Sequence, residues 1–181
     1  MNCTLCTARS CRSTVSCGAE TFDPDSLVCD YREDRNASIV ESAARLVDGG
    51  RAGTLDRVQE LVEYIRDQGL KKVGLAYCYG MEKQAARARV RLRESGAKVE
   101  AVSCTVGALP QNLVNSKSEL KGVSCNPLGQ AAQLNAAGPD LTVTMGLCLG
   151  HDILFNRYIE GDVTTLAVKD RVHGHSPLKG L

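Results

Sequence analysis

Nine cysteines in a chain of 181 residues are the groups whose type and spacing could do chemistry. Five come early, at Cys3, Cys6, Cys11, Cys17 and Cys29; four are scattered, at Cys78, Cys104, Cys125 and Cys148. A thiolate is both a nucleophile and a soft metal ligand. The odd count argues against a fully paired disulfide framework. The first residues, Met1 to Cys6, have neither the basic stretch nor the apolar segment of a secretory leader, so the cytoplasm is the expected compartment. So many free thiols are an oxidative liability there, and metal ligation is the reading they favour.

The elements that must position these thiols follow from hydrophobic period. Lys72 to Tyr77 (KVGLAY) and Lys98 to Ser103 (KVEAVS) read as strands around a helix from Glu82 to Glu94 that Gly96 ends, a βαβ unit. Leu141 to Met145 and Val163 to Val168 read as two further strands. Short helices are expected after Asn126-Pro127 and after Gly150, with a less regular stretch from Gly107 to Ser124. Upstream, Ile39, Val40, Ala43, Leu46 and Val47 recur at helical spacing until Gly49-Gly50. Leu55, Val58, Leu61, Val62 and Ile65 form a second stripe that Thr54 is expected to cap and Gly69 to end. The fold class implied is α/β, a Rossmann-like, mainly parallel sheet of about four strands with flanking helices. Residues 1–36 lack such periodicity and cannot build a core. The expected division is therefore a cysteine-rich N-terminal metal-binding segment, 1–36, and an α/β domain, 37–181.

Set against the strands, the later cysteines fall into register. Cys78 follows the first strand directly, Cys104 follows the second, and Cys148 stands three residues after Met145. In an open parallel sheet those carboxyl ends share the edge where such folds place ligands. Cys125 precedes Asn126-Pro127, a helix start whose unpaired N–H groups favour a thiolate. Four sulfurs are thus expected at one spot, with Gly80, Gly107, Gly146 and Gly150 beside them to allow close backbone approach. None of the four belongs to a C-x2-C pair. A [4Fe-4S] cluster, larger than one ion and an acceptor of backbone hydrogen bonds, is favoured over zinc at this core site. Free cysteines are often simply small buried residues, but four coincidences with element ends argue against that here. Cys3-x2-Cys6 is a ligand spacing in a segment without its own core, and zinc and a second [4Fe-4S] cluster fit it equally.

His151, Asp152, Lys169 and Arg171 are the candidate catalytic groups at the same edge. His151 could donate a proton or ligate metal with Asp152 orienting it, although Asp152 could equally cap a helix. Lys169 and Arg171 could bind a carboxylate or phosphate, the alternative being an internal salt bridge with Asp170. His175, in a turn-rich tail, is more readily structural.

Other function classes lack support. The formal charge of +1 gives no field toward nucleic acid or acidic lipid, and Arg87, Arg89, Arg91 and Arg93 spread around a solvated helix. Aromatic residues make up 4% with no Trp, which disfavours base stacking, and no apolar run is long enough to cross a bilayer. No G-x-G-x-x-G fingerprint, Walker loop or nucleophile elbow occurs.

The segments AYCYGM, SCTVG, SCNPLGQA, GLCLGHDILF and VKDRVHGHSP, in that order, resemble the uncharacterised cysteine-rich metal-binding proteins of domain-of-unknown-function family 1847 over nearly the whole chain. The resemblance implies one ligand cysteine per core motif, at Cys78, Cys104, Cys125 and Cys148. It also implies an N-terminal set of Cys3, Cys6, Cys11 and Cys29, with Cys17 outside it. It implies no activity. The family is richer in cysteine and lysine around the second core motif, where this chain has Ser103 and Thr105. Two functions are expected on these grounds. One is an iron-sulfur enzyme or redox protein, with a small-molecule substrate and an electron donor as partners. The other is a non-catalytic zinc-binding or metal-sensing module. Neither a nucleic acid nor a membrane is expected as a partner.

Overall fold

Strands β1 (Lys72–Tyr77), β2 (Lys98–Ser103), β3 (Leu141–Met145) and β4 (Val163–Ala167) form one sheet, parallel throughout, in the order β2-β1-β3-β4. The α/β reading with a mainly parallel sheet is borne out, and three of the strands begin and end where the apolar runs do. The computed structural model describes residues 2–181; Met1, the first residue of the expected cysteine-rich segment, lies outside them. The chain divides into one unit ending at Glu41 and another spanning Ser42–Leu181.

In the first unit, single 3-10 turns at Cys3–Leu5 and Ser10–Ser13 precede helix α1 (Pro24–Tyr31). The sequence reading has no helix there, because Leu27, Val28 and Tyr31 make no stripe that meets a core and all three are exposed. The cap chemistry was nonetheless present: the Asp23 side chain accepts from the Asp25 N–H, and Pro24 opens the first turn. None of residues 2–41 is buried. Helix α2 (Asp34–Arg45) holds Ile39, Val40 and Ala43 of the expected stripe, while Leu46 and Val47 fall in the turn after it.

The second unit holds α3 (Arg57–Asp67), α4 (Glu82–Leu92), α5 (Gln111–Val114), α6 (Pro127–Ala137) and α7 (Leu149–Tyr158). Helix α3 is capped by Asp56 rather than Thr54. Asp56 and Gln59 form a reciprocal capping box, which satisfies two orphan N–H groups where a lone threonine would satisfy one. Side chains alternate across β1 and so face two different helix layers. Val73 and Leu75 join Leu61 and Ile65 of α3 and Ala85, Ala88 and Leu92 of α4 in one buried cluster. Ala76 joins Ala131 and Leu134 of α6 and Phe155 of α7 in another. Arg87, Arg89, Arg91 and Arg93 are all exposed, as a solvated face requires.

Two side-chain devices fix β1 in place. The Asp140 carboxylate accepts the N–H groups of Lys71 and Lys72 at 2.7 and 2.8 Å, which pins the start of β1 beside the start of β3. At Gly74 a Cβ would lie 3.1 Å from Leu134 Cδ2, so the absent side chain is what lets α6 lie close to the sheet. The connections from β1 to β2 and from β3 to β4 run in opposite directions, which makes the carboxyl ends of β1 and β3 the switch point of the sheet.

Leu134 is fully buried. Leu134→Ala is expected to cost about 2–5 kcal/mol, because the sheet surface under α6 cannot collapse into the space. A urea unfolding series is the check; a midpoint unchanged from the parent would contradict this packing.

Candidate functional site

Register brings the later cysteines together. Tyr77 lies opposite Ser103 of β2 and opposite Met145 of β3, so Cys78, the residue after β1, emerges level with Cys104. The ladder continues through both, with Cys78 N–H donating to the Met145 carbonyl at 3.1 Å and Cys104 N–H to the Tyr77 carbonyl at 2.9 Å. Cys125 arrives by another route. The Asn126 N–H donates to the Cys104 carbonyl at 2.6 Å, and the Asn126 side chain caps α6 by accepting from the Gly129 N–H. Cys148 occupies the N-cap position of α7.

The sulfurs touch one another and two cations. Cys125 Sγ is 3.5 Å from Cys104 Sγ, and the Tyr79 N–H donates to Cys104 Sγ at 3.4 Å. Lys169 Nζ donates to Cys78 Sγ at 3.1 Å, and Arg171 Nη2 donates to Cys148 Sγ at 3.3 Å. Cys78 and Cys104 are only 4% and 2% exposed; Cys125 and Cys148 are half-buried.

These surroundings divide the thiols electrostatically. Burial raises the Cys78 thiol, but the Lys169 ammonium, the Gly80 N–H and the Cys104 side chain outweigh it and hold Cys78 below the ordinary thiol range. Cys104 lacks a cation of its own, and burial with two sulfur neighbours pushes it up to about 12. Burial likewise raises Cys125, aided by the nearby Cys148 and Cys78 sulfurs. Arg171 is held protonated even more firmly by its bond to Cys148.

The Lys169-Asp170-Arg171 trio is not an internal salt bridge. Asp170 turns away and accepts from the N–H groups of Val172 and His173, both at 2.9 Å, and its other oxygen lies 3.1 Å from His173 Nδ1. His175 is structural, its Nδ1 accepting the Asp170 N–H at 3.2 Å. The two cations are thereby left to the thiols.

Other expected residues stand apart. His151 and Asp152 lie in the first turn of α7, and among the described residues no hydrogen bond joins either to the four thiols. Asp152 accepts from Asn156 and does not cap the helix. Burial raises Asp152 and lowers His151, whose Nδ1 has no partner. In the first unit, Cys3 and Cys11 lie in the 3-10 turns and Cys29 in α1, all exposed, while Cys6 Sγ accepts the Arg9 N–H at 3.4 Å. Cys17 Sγ pairs with Glu20 at 3.5 Å. Among the described residues, no three His, Cys, Asp or Glu side chains close around the position of a single ion.

One residue escaped the sequence reading. Gln130 of α6 is fully buried, and its Nε2 donates to the carbonyls of Tyr77 and Val102 at 3.1 and 2.9 Å. A glutamine on the apolar face of a helix that otherwise buries Ala131 and Leu134 was the available signal.

A family model for proteins of unknown function, DUF1847, matches residues 19–166. An uncharacterised protein of Methanocaldococcus jannaschii is 32% identical over 179 residues, 97% of this chain and 91% of that protein. Among solved structures, an iron-containing alcohol dehydrogenase from Thermococcus thioreducens is 18% identical over 49% of this chain, with a TM-score of 0.32; the chain spans 20% of its length. A likeness that slight carries no argument.

In metal-free, reduced protein, Cys78 should ionise below the ordinary thiol range and Cys104 only at about 12. A depressed folded pKa means that the Cys78 thiolate adds stability above the unfolded thiol pKa, stability that is lost as pH falls through the folded value. Lys169→Met should move the Cys78 ionisation up. Thiolate ultraviolet absorbance against pH, read as the difference from a Cys78→Ser variant, measures it, and an unmoved Cys78 step would show that Lys169 does not hold Cys78.

Proposed function

The chain belongs to the DUF1847 family of proteins of unknown function, and we propose that it is an iron-sulfur protein acting in redox or small-molecule chemistry, with a [4Fe-4S] cluster held by Cys78, Cys104, Cys125 and Cys148. The observation that carries this reading is the meeting of these thiols, from four separate segments, at the switch point of a parallel sheet, with Lys169 on one and Arg171 on another. The donor set fits the group, since all four ligands are thiols and iron-sulfur clusters are held by four cysteines. When bound, such a cluster supplies one-electron transfer.

The protein's own groups have separable parts in this reading. Lys169 and Arg171 offset the negative charge that four thiolates concentrate in a low-dielectric spot. Gly80 and Tyr79 offer N–H donors to the sulfurs. His151, kept neutral by burial, can accept a proton from a small substrate. The exposed part of the Arg171 guanidinium can hold an anionic group. In the first unit, Cys3, Cys6, Cys11 and Cys29 would hold zinc or a second cluster, and the cytoplasm, with a separate electron donor, is the setting proposed.

One distance favours a second reading, a zinc-binding or metal-sensing module without catalysis. Zinc–sulfur bonds of about 2.3 Å in a tetrahedron place two thiolates about 3.8 Å apart, near the 3.5 Å between Cys104 and Cys125.

One measurement separates them. Protein purified without oxygen should be brown and contain iron and acid-labile sulfide, both lost together when Cys104→Ser and Cys125→Ser are combined. Colourless protein with stoichiometric zinc would establish the second reading instead. Unchanged metal content in the double variant would defeat both.

A further inference from the structure

We infer that Gln130 is the positioning residue of the thiol site, setting the placement of Cys78 and Cys104 through their backbones; this rests on the cluster reading above. The carbonyl of Tyr77 belongs to the same planar peptide unit as the Cys78 nitrogen. That carbonyl accepts two hydrogen bonds, from the Cys104 N–H at 2.9 Å and from Gln130 Nε2 at 3.1 Å. The second Nε2 hydrogen goes to the carbonyl of Val102 at 2.9 Å, two residues before Cys104. One amide group thus holds the last turns of both strands at the point where each gives way to its cysteine.

The orientation of that amide is dictated by its partners. Turning it over would set Oε1 against two carbonyl oxygens, so Nε2 must face the sheet. Oε1 is left buried with no partner in the structure. A group that only filled space would be better served by leucine or methionine, which bury no unpaired acceptor. Its retention of two donors on these two carbonyls therefore points to the strand ends. Gln130 also stands one turn after Asn126, whose N–H holds the Cys104 carbonyl and whose neighbour is Cys125. Through Gln130 and Asn126, α6 ties three of the four thiols to one rigid body.

Gln130→Met keeps the length and apolar character of the stem and removes both donors. Gln130→Glu keeps the shape but turns acceptor oxygens toward the carbonyls, and regains one donor when protonated. With the full chain purified without oxygen, both variants should keep the parent's circular dichroism while shifting the reduction potential and the electron paramagnetic resonance signal of the reduced cluster. They should also release iron faster to a chelator. Gln130→Glu should move back toward the parent as pH is lowered, a recovery that lost packing alone does not produce. Parent-like potential, spectrum and iron release in both variants would overturn the inference, as would a failure of both to fold, which would make Gln130 a general core residue. A parent protein without iron and sulfide would instead refute the cluster reading, so the two failures are told apart.

Discussion

The parallel register of β1 with both of its neighbours is the constraint on which the rest depends. Cys78, Cys104 and Cys148 are far apart in sequence and have no local reason to meet. They meet because Tyr77 is level with Ser103 on one side and Met145 on the other. Side chains alternate with a period of two, so a slip of one residue would turn Val73 and Leu75 out of the core at the same time as it separated the sulfurs. Burial of Val73, Leu75 and Val143, each wholly inaccessible, therefore protects the site as well as the fold. Asp140 works toward the same end from the opposite edge, holding the Lys71 and Lys72 N–H groups where the strand begins.

A second consequence of the sheet is where the positive charge falls. Strand β4 pairs with β3 through a shift at Thr144 and Met145, after which Ala167 rather than Leu166 lies opposite Met145. The extra residue advances β4 at its carboxyl end, as bulges near sites commonly do. Two residues later Lys169 reaches Cys78, and Arg171 reaches Cys148. Asp170 between them is occupied with the loop through His173 and His175, so it does not neutralise its neighbours. Lys169 and Arg171 thus serve the thiols while Asp170 between them serves the loop. The site is asymmetric as a result. Cys78 and Cys148 each have a cation, while Cys104 and Cys125 have each other, with the Tyr79 N–H on Cys104.

Much of this was legible because it follows from short-period pattern. KVGLAY and LTVTM are buried runs and KVEAVS a partly exposed edge strand, and the cysteines after them could be assigned to one edge by topology alone. Pairwise contacts at that edge were not legible. Lys169 and Arg171 could be read as a salt-bridged trio, since nothing in the sequence reveals that Asp170 is spent on the N–H groups of Val172 and His173. Gln130 was passed over for a related reason: its partners are main-chain carbonyls, which carry no residue-type signal. The Thr54 cap failed because Asp56 with Gln59 satisfies more of the helix start. Helix α1 was missed because it buries nothing, leaving periodicity without a face to report.

That last point bears on the first unit. Hydrophobic burial is the usual source of folding free energy, and none of residues 2–41 is buried, with Leu5, Phe22 and Tyr31 all well exposed. Ordering about forty residues costs on the order of 1–2 kcal/mol each in backbone entropy. Short 3-10 turns, a capped helix of eight residues, the first part of α2 and a few exposed hydrogen bonds do not offset that. The unit carries five cysteines, and the Arg9 N–H already donates to Cys6 Sγ, with Arg9 held at a φ of 51°. A bound metal can supply part of that folding free energy. The metal proposed for Cys3, Cys6, Cys11 and Cys29 thus answers a deficit in stability, whereas the one proposed for Cys78, Cys104, Cys125 and Cys148 sits on a sheet that is already held by its own core. In this proposal the first is a structural centre, and the second is the place for chemistry.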